Sequence, residues 1–168
     1  LHSFPTRRSS DLHIELDSPL AEVLPTLWQK YSVRYKGYTL RQLCQEMHDL
    51  YVSFKIKDLQ KAMFRKAELP QVVMNPQDAN REFIRGNVEL VRIRDAAGRI
   101  AAEGALPYPP GVLCVVPGEV WGGAVQRYFL ALEESVNMLP GFSPELQGVY
   151  SETDADGIKR LYGNVLKA

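Results

Sequence analysis

Cysteine is scarce in this chain of 168 residues, which contains only Cys44 and Cys114. The two lie far apart and form no CxxC pair, so the sequence offers neither a disulfide framework nor a four-ligand zinc site. Cys44 and His48 are one helical turn apart and could share a metal ion, but burial of a small thiol in a helix explains Cys44 better. We predict no metal site and, from the few thiols, a cytoplasmic location.

The chain also lacks an excess of charge and a long apolar run. Lys plus Arg (20) equals Asp plus Glu (20), so no long-range field would attract nucleic acid or anionic lipid. No uninterrupted apolar stretch reaches the roughly 18 residues that a membrane-spanning helix needs. The sequence therefore predicts neither a nucleic-acid partner nor a membrane partner.

Common catalytic signatures are missing as well. The sequence has no phosphate-binding loop with a trailing Lys-Ser/Thr and no GxSxG elbow, which argues against ATP hydrolysis and serine esterase chemistry. Asp154, Asp156 and Gly157 faintly resemble a calcium loop, but Lys159 and Arg160 follow where such a loop needs an acidic residue. A polar hairpin turn is the better interpretation.

What is present is typical of one globular domain, with 45% apolar and 24% charged residues. Residues 1–12 show no helical or strand period and resemble translated adapter sequence, so we interpret them as a non-native leader and assign the domain to residues 13–168. A first residue of Leu1 rather than methionine favours a piece of a longer protein over a natural short one.

Apolar residues at three- and four-residue steps predict helices in the first half of the chain and one long helix later. Capping and breaking residues set their limits. The first predicted helix begins at Ser18 and Pro19 and is kinked at Pro25, and the second begins at the capping box of Thr39 and Gln42. The third covers residues 58–66, the fourth runs from Asn75 to Gly86, and the fifth runs from Gly123 to Leu139. In the fifth helix, Glu133 and Glu134 face away from the apolar side.

Strand patterns occupy the rest. Residues 87–93 and 99–106 predict a hairpin, the apolar run 112–116 predicts a buried central strand, and residues 147–152 and 159–165 predict a C-terminal hairpin. The fold class is therefore α+β, with N-terminal helices, a mixed β-sheet with a central buried strand, one long helix and a C-terminal β-hairpin.

Residues 106–119 form the most unusual segment. Tyr108, Pro109, Pro110 and Gly111 hold the backbone rigid, which suits a pocket wall or a domain contact, although turns flanking a buried strand explain the prolines without a site. Glu119 is a candidate because it follows a turn at a predicted strand end. Six aromatic residues could lie either at an interface or in the core, and the sequence favours neither. These are Trp28, Tyr31, Tyr35, Tyr38, Trp121 and Tyr128.

Two long segments carry a resemblance to a known family. Residues 34–48 (RYKGYTLRQLCQEMH) and 105–112 (ALPYPPGV), continuing to Pro117, Gly118 and Glu119, resemble the C-terminal part of the bacterial ornithine, lysine and arginine decarboxylases. The resemblance extends from about His13 to the end of the chain. Residues 139–150 (LPGFSPELQGVY) resemble the ornithine branch, and the tail over residues 151–167 resembles its inducible form.

This resemblance implies a fold-type I enzyme in which a large domain binds pyridoxal phosphate through a lysine Schiff base. The implied reaction converts L-ornithine to putrescine and carbon dioxide, which would serve polyamine synthesis and acid resistance. The family's cofactor lysine follows a histidine, whereas here His2, His13 and His48 precede Ser3, Ile14 and Asp49. The resemblance therefore places no catalytic or cofactor-binding residue in this chain, and we predict that it is inactive alone.

The same resemblance implies the partners: the large domain of the same enzyme and further copies in a homo-oligomer. The segment from Tyr108 to Gly111 is then the candidate element that faces the active site. Two alternatives stay open from sequence: a stand-alone module that binds a full-length decarboxylase or a polyamine, and a pseudogene product without a role.

Overall fold

The computed structural model describes residues 15–108 and 111–168. The chain divides into two compact units, Leu1–Asp49 and Leu50–Ala168. The predicted leader and the start of the domain at His13 lie outside the described residues.

The first unit contains the short helices α1 (Leu20–Val23) and α2 (Pro25–Tyr31) and most of α3 (Leu40–Ser53). Pro25 is the first residue of α2, so the predicted interruption is confirmed. The predicted cap at Ser18 is wrong: Pro19 precedes α1, and no side chain caps the helix. The capping box of α3 is confirmed, because the Thr39 amide donates to Gln42 Oε1 (2.9 Å) and the Gln42 amide donates to Thr39 Oγ1 (3.3 Å).

The second unit contains three further helices, α4 (Ile56–Ala62), α5 (Pro76–Ile84) and α6 (Gly123–Met138). The helix predicted over residues 58–66 is shorter and starts earlier than expected. Asn75 caps α5 as predicted, since its side chain accepts a hydrogen bond from the Gln77 amide. The prediction for α6 is confirmed within one residue at its C-terminus.

Five strands form two antiparallel sheets in the described part of the second unit. They are β1 (Val88–Arg92), β2 (Leu106–Tyr108), β3 (Glu145–Gln147), β4 (Tyr150–Thr153) and β5 (Lys159–Leu166). The larger sheet has the order β1-β5-β4, and β2 pairs with β3. The α+β class is confirmed, and so is the C-terminal hairpin, in which Thr153 pairs with Lys159. The expectation of a mixed sheet is wrong for these strands, because every ladder is antiparallel.

The hairpin predicted between residues 87–93 and 99–106 is also wrong. A 3-10 turn at Ile93–Asp95 redirects the chain after β1, and β1 pairs instead with β5, with Val88 opposite Leu166. The following residues make only isolated bridges, such as Ala101 with Val165. Local alternation identified the strand but could not identify its distant partner.

The central strand predicted over residues 112–116 is absent from the structure. Val115 makes an isolated bridge to Ala105, whereas Val112 and Leu113 are 48% and 46% exposed. The apolar run is therefore half core and half surface. The central strand of the larger sheet is β5, whose Leu161 and Val165 are buried.

The core of the second unit lies between α6, α4 and β5. Trp121 and Phe129 meet edge to face, with ring centroids 5.6 Å apart. Trp121 and Tyr128 are buried here, and Tyr35 is buried within the first unit, so these aromatics have core roles. Trp28, Tyr31 and Tyr38 are half-buried.

Candidate functional site

The proline-rich segment begins as a strand. In β2, Tyr108 lies opposite Glu145 of β3, and Pro107 is buried while the Tyr108 side chain is 52% exposed. A proline at an edge strand loses no ladder hydrogen bond that a neighbour needs. The pairing fixes the position of Tyr108 at the surface.

Gly111 turns the chain directly after the two prolines. Its amide donates to the Pro107 carbonyl (3.0 Å), and its φ of 78° lies in the left-handed region that favours glycine. A Cβ at this position would approach the Tyr108 ring to 3.1 Å, so the turn and the ring lie against each other. Pro109 and Pro110 lie outside the described residues.

Three large apolar side chains are exposed around this turn: Tyr108, Val112 and Leu113, here called the Tyr108 surface. Scattered exposed apolar residues are common, but three of them around one turn are consistent with a contact face. The structure thus brings together Tyr108 and Gly111 of the sequence-derived motif.

Glu119 lies in a different turn, where its carboxylate already accepts a backbone hydrogen bond. Its Oε2 accepts a hydrogen bond from the Val116 amide (2.8 Å), and its own amide donates to the Val116 carbonyl (3.0 Å). Within residues 15–108 and 111–168, no hydrogen bond or bridge joins Glu119 to Tyr108 or Gly111. The carboxylate closes its own turn.

A cavity of about 220 Å³, which the sequence did not indicate, lies in the second unit between α6 and strands β3, β4 and β5. It has apolar walls with a few polar groups. The lining residues are Glu133, Val136, Ser143, Pro144, Leu146, Val149, Ser151, Lys159 and Leu161.

Glu133 corrects a further expectation, because it faces the interior and is only 2% exposed. Its Oε2 accepts the Leu161 amide of β5 at 2.5 Å, which ties α6 to the sheet. Lys159 also lines the cavity, and its Nζ donates to Ser143 Oγ at 3.1 Å. The signal available in the sequence was the position of Glu133, one residue after Leu132 on the apolar side of the helix.

The two thiols have opposite surroundings. Burial raises the pKa of the Cys114 thiol to about 11. Cys44 is exposed, so the expectation that its thiol is buried in α3 is wrong. Among the described residues, no group of three or more His, Cys, Asp or Glu side chains is arranged to hold a metal ion.

Burial also raises the pKa of Tyr128, whose hydroxyl accepts a hydrogen bond from Gln60 Nε2 (3.3 Å).

Within the described ranges, no helix combines the length and apolar character needed to cross a membrane.

Residues 57–167 match the family model described as Orn/Lys/Arg decarboxylase, C-terminal domain. The chain belongs to this family. This confirms the resemblance that the two sequence segments suggested.

Relatives place the chain within the family. It is 83% identical over 155 residues to the constitutive ornithine decarboxylase of Escherichia coli (strain K12), covering 92% of this chain and 22% of that enzyme. It is 67% identical to the inducible ornithine decarboxylase of the same strain, covering 92% and 21%. The tail led us to expect the inducible form, whereas identity over the matched length is higher with the constitutive form.

The fold is shared with a solved lysine-specific relative. Lysine decarboxylase A from Pseudomonas aeruginosa superposes with a TM-score of 0.79 at 32% identity, covering 90% of this chain and 20% of that one. The chain therefore spans about a fifth of the length of the relatives that it matches.

The lining of the cavity between α6, β3, β4 and β5 does not fit a pyridoxal phosphate site. The cavity lining includes one lysine, whose Nζ bonds Ser143 Oγ, and it supplies no arginine for a phosphate and no aromatic ring to stack on a pyridine. The sequence also has no His-Lys pair. No cofactor step is assigned to these residues.

Proposed function

We propose that this chain is the C-terminal domain of an ornithine decarboxylase that converts L-ornithine to putrescine and carbon dioxide in polyamine synthesis and acid resistance. The observation that carries the proposal is the 83% identity to an ornithine enzyme, set against 32% identity to a lysine enzyme of the same fold. In the parent enzyme, pyridoxal phosphate would withdraw electrons from the reacting carbon of the substrate. A cytoplasmic location agrees with the two free thiols.

The isolated chain is inactive in this proposal, because the lysine that would hold the cofactor belongs to the large domain. We assign residues 13–168 to the C-terminal domain and residues 1–12 to a non-native leader.

The domain's role is to pack on the large domain near the entrance of the active site and to support a homo-oligomer. The Tyr108 surface supports this role, since its three side chains are apolar and exposed and Tyr108 is held in a paired strand. Tyr108, Pro109, Pro110 and Gly111 form the contact element, and Glu119 maintains the neighbouring turn.

A chimera tests the proposal. The matching segment of the E. coli constitutive ornithine decarboxylase is replaced by residues 13–168, and carbon dioxide release from ornithine is measured. We expect activity close to that of the parent and no activity from the parent truncated before this segment.

The control chimera carries the matching domain of the P. aeruginosa lysine decarboxylase, which should support less activity because it is only 32% identical to this chain. Putrescine formed by the isolated chain with pyridoxal phosphate, or a folded, cofactor-loaded chimera without ornithine activity, would overturn the proposal.

A further inference from the structure

The cavity between α6, β3, β4 and β5 is held in place from two sides. Asn137 of α6 brackets the backbone of Lys159, because its Oδ1 accepts the Lys159 amide (2.8 Å) and its Nδ2 donates to the Lys159 carbonyl (2.9 Å). Glu133 makes a second connection from α6 to the amide of Leu161. The helix therefore holds the Glu133 carboxylate and the backbone of Lys159 against the central strand.

Glu133 retains an unused acceptor. The residue is 2% exposed, and Oε2 accepts the Leu161 amide. Over residues 15–108 and 111–168, Oε1 accepts no hydrogen bond, and Lys159 is not within ion-pair distance of this carboxylate. This oxygen is open to a donor from a ligand, and a charged donor gives the strongest bond. Arg160, which forms ion pairs with Asp154 and Asp156, also interacts electrostatically with Glu133.

Lys159 supplies the opposite charge elsewhere in the lining. Its ammonium contacts only the neutral hydroxyl of Ser143 among the described side chains. Most of the other lining residues are apolar. The apolar ones are Val136, Pro144, Leu146, Val149 and Leu161.

Size limits the ligand. A volume of about 220 Å³ with largely apolar walls suits a short aliphatic molecule. We propose that this cavity binds a small ω-amino carboxylate, with the ammonium end on Glu133, the methylene chain on the apolar walls and the carboxylate end on Lys159. This site is separate from the proposed decarboxylase role and does not depend on it.

The test uses the purified chain, calorimetric titration and the amide shift of Leu161 in nitrogen-edited NMR spectra. The probes are γ-aminobutyrate, δ-aminovalerate and ε-aminocaproate, together with pentylamine, which lacks the carboxylate, and valerate, which lacks the ammonium. We expect at least one ω-amino carboxylate to bind and to shift the Leu161 amide. The two one-charge analogues should bind about tenfold more weakly, because each leaves one charged group unpaired.

Two variants separate the ends of the ligand. Glu133→Gln keeps an oxygen for the Leu161 amide but removes the charge, and it should lower affinity for amines about tenfold while leaving valerate unchanged. Lys159→Met should reduce the affinity of δ-aminovalerate to that of pentylamine. The matched control is Glu134→Gln, the exposed neighbour on α6, which should change nothing.

The proposal is overturned if no probe shifts the Leu161 amide, if all probes bind equally, or if Glu133→Gln and Glu134→Gln behave alike. If Glu133→Gln does not fold, the proposal is tested by the binding of the probes to the unchanged chain and to Lys159→Met. Because the readout is binding to this chain, failure here leaves the chimera result unaffected.

Discussion

At the scale of single residues, burial divides two chemically identical thiols. Cys114 lies in the core of the second unit, and its pKa is raised to about 11 by burial, whereas Cys44 is exposed on α3. Since the thiolate is the nucleophile, the two should react at different rates.

We expect iodoacetamide at pH 8 to alkylate Cys44 rapidly and Cys114 only after denaturation, as read by peptide mass spectrometry. Cys44→Ser is the control and should leave a native chain that hardly reacts. Equal labelling of both thiols in the native chain would contradict the burial of Cys114.

Glycine at a crowded turn is the second feature at this scale. Gly118 has a φ of 89°, and a Cβ there would overlap the carbonyl oxygen of Met74, while Gly98 has a φ of 79° with nothing within 4 Å. Both glycines carry the left-handed penalty, but only Gly118 is also enclosed.

Gly98→Ala should therefore lower the free energy of unfolding by about 1 kcal/mol, and Gly118→Ala should lower it by clearly more. Gly118 also accepts the amides of Val73 and Met74, so displacement would affect that contact. Urea denaturation measures both variants, and equal losses would show that the approach of Met74 is not restrictive.

At the scale of elements, capping chemistry sets where α5 begins. Asn75 Oδ1 accepts the Gln77 amide at 2.9 Å, and Pro76 occupies the first helical position, where its missing N–H costs nothing.

Replacing the cap by Asn75→Ala should cost about 1 kcal/mol of unfolding free energy, measured by thermal or urea denaturation. Asn75→Asp keeps an acceptor at the same place and should cost much less. If the two variants lose the same stability, the cap does not stabilise this helix.

Sequence patterns predicted the helices better than the strands, for a physical reason. Caps and apolar periodicity are local, so Asn75, Pro25 and the Thr39 capping box marked helix ends directly. Strand pairing is non-local, and nothing near residues 88–92 indicates that their partner is Leu166 and the residues before it. The apolar run at 112–116 misled because Val112 and Leu113 are exposed, consistent with a contact face.

The candidate site shows the same difference between local and non-local signals. The turn at Gly111 beside Tyr108 could be predicted from the prolines and the glycine, which act locally. The cavity could not, because Glu133 meets Leu161 only after β5 has paired and packed on α6. The position of Glu133 beside the apolar residues of α6 is a local sign of burial, but it does not indicate the partner on β5.

At the scale of the whole molecule, the chain divides into two compact units and spans about a fifth of the length of the relatives that it matches. The family follows from the match over residues 57–167. The decarboxylation of ornithine is a proposal, because the chain spans only about a fifth of the length of the ornithine decarboxylases that it matches.

The most direct measurement is to sequence the source DNA continuously upstream of the codon for His13. If the chain is the C-terminal domain of an ornithine decarboxylase, the reading frame continues upstream into a large domain that contains a His-Lys pair. A start codon with its ribosome-binding site at that junction, with no decarboxylase frame before it, would contradict this and identify a separate protein.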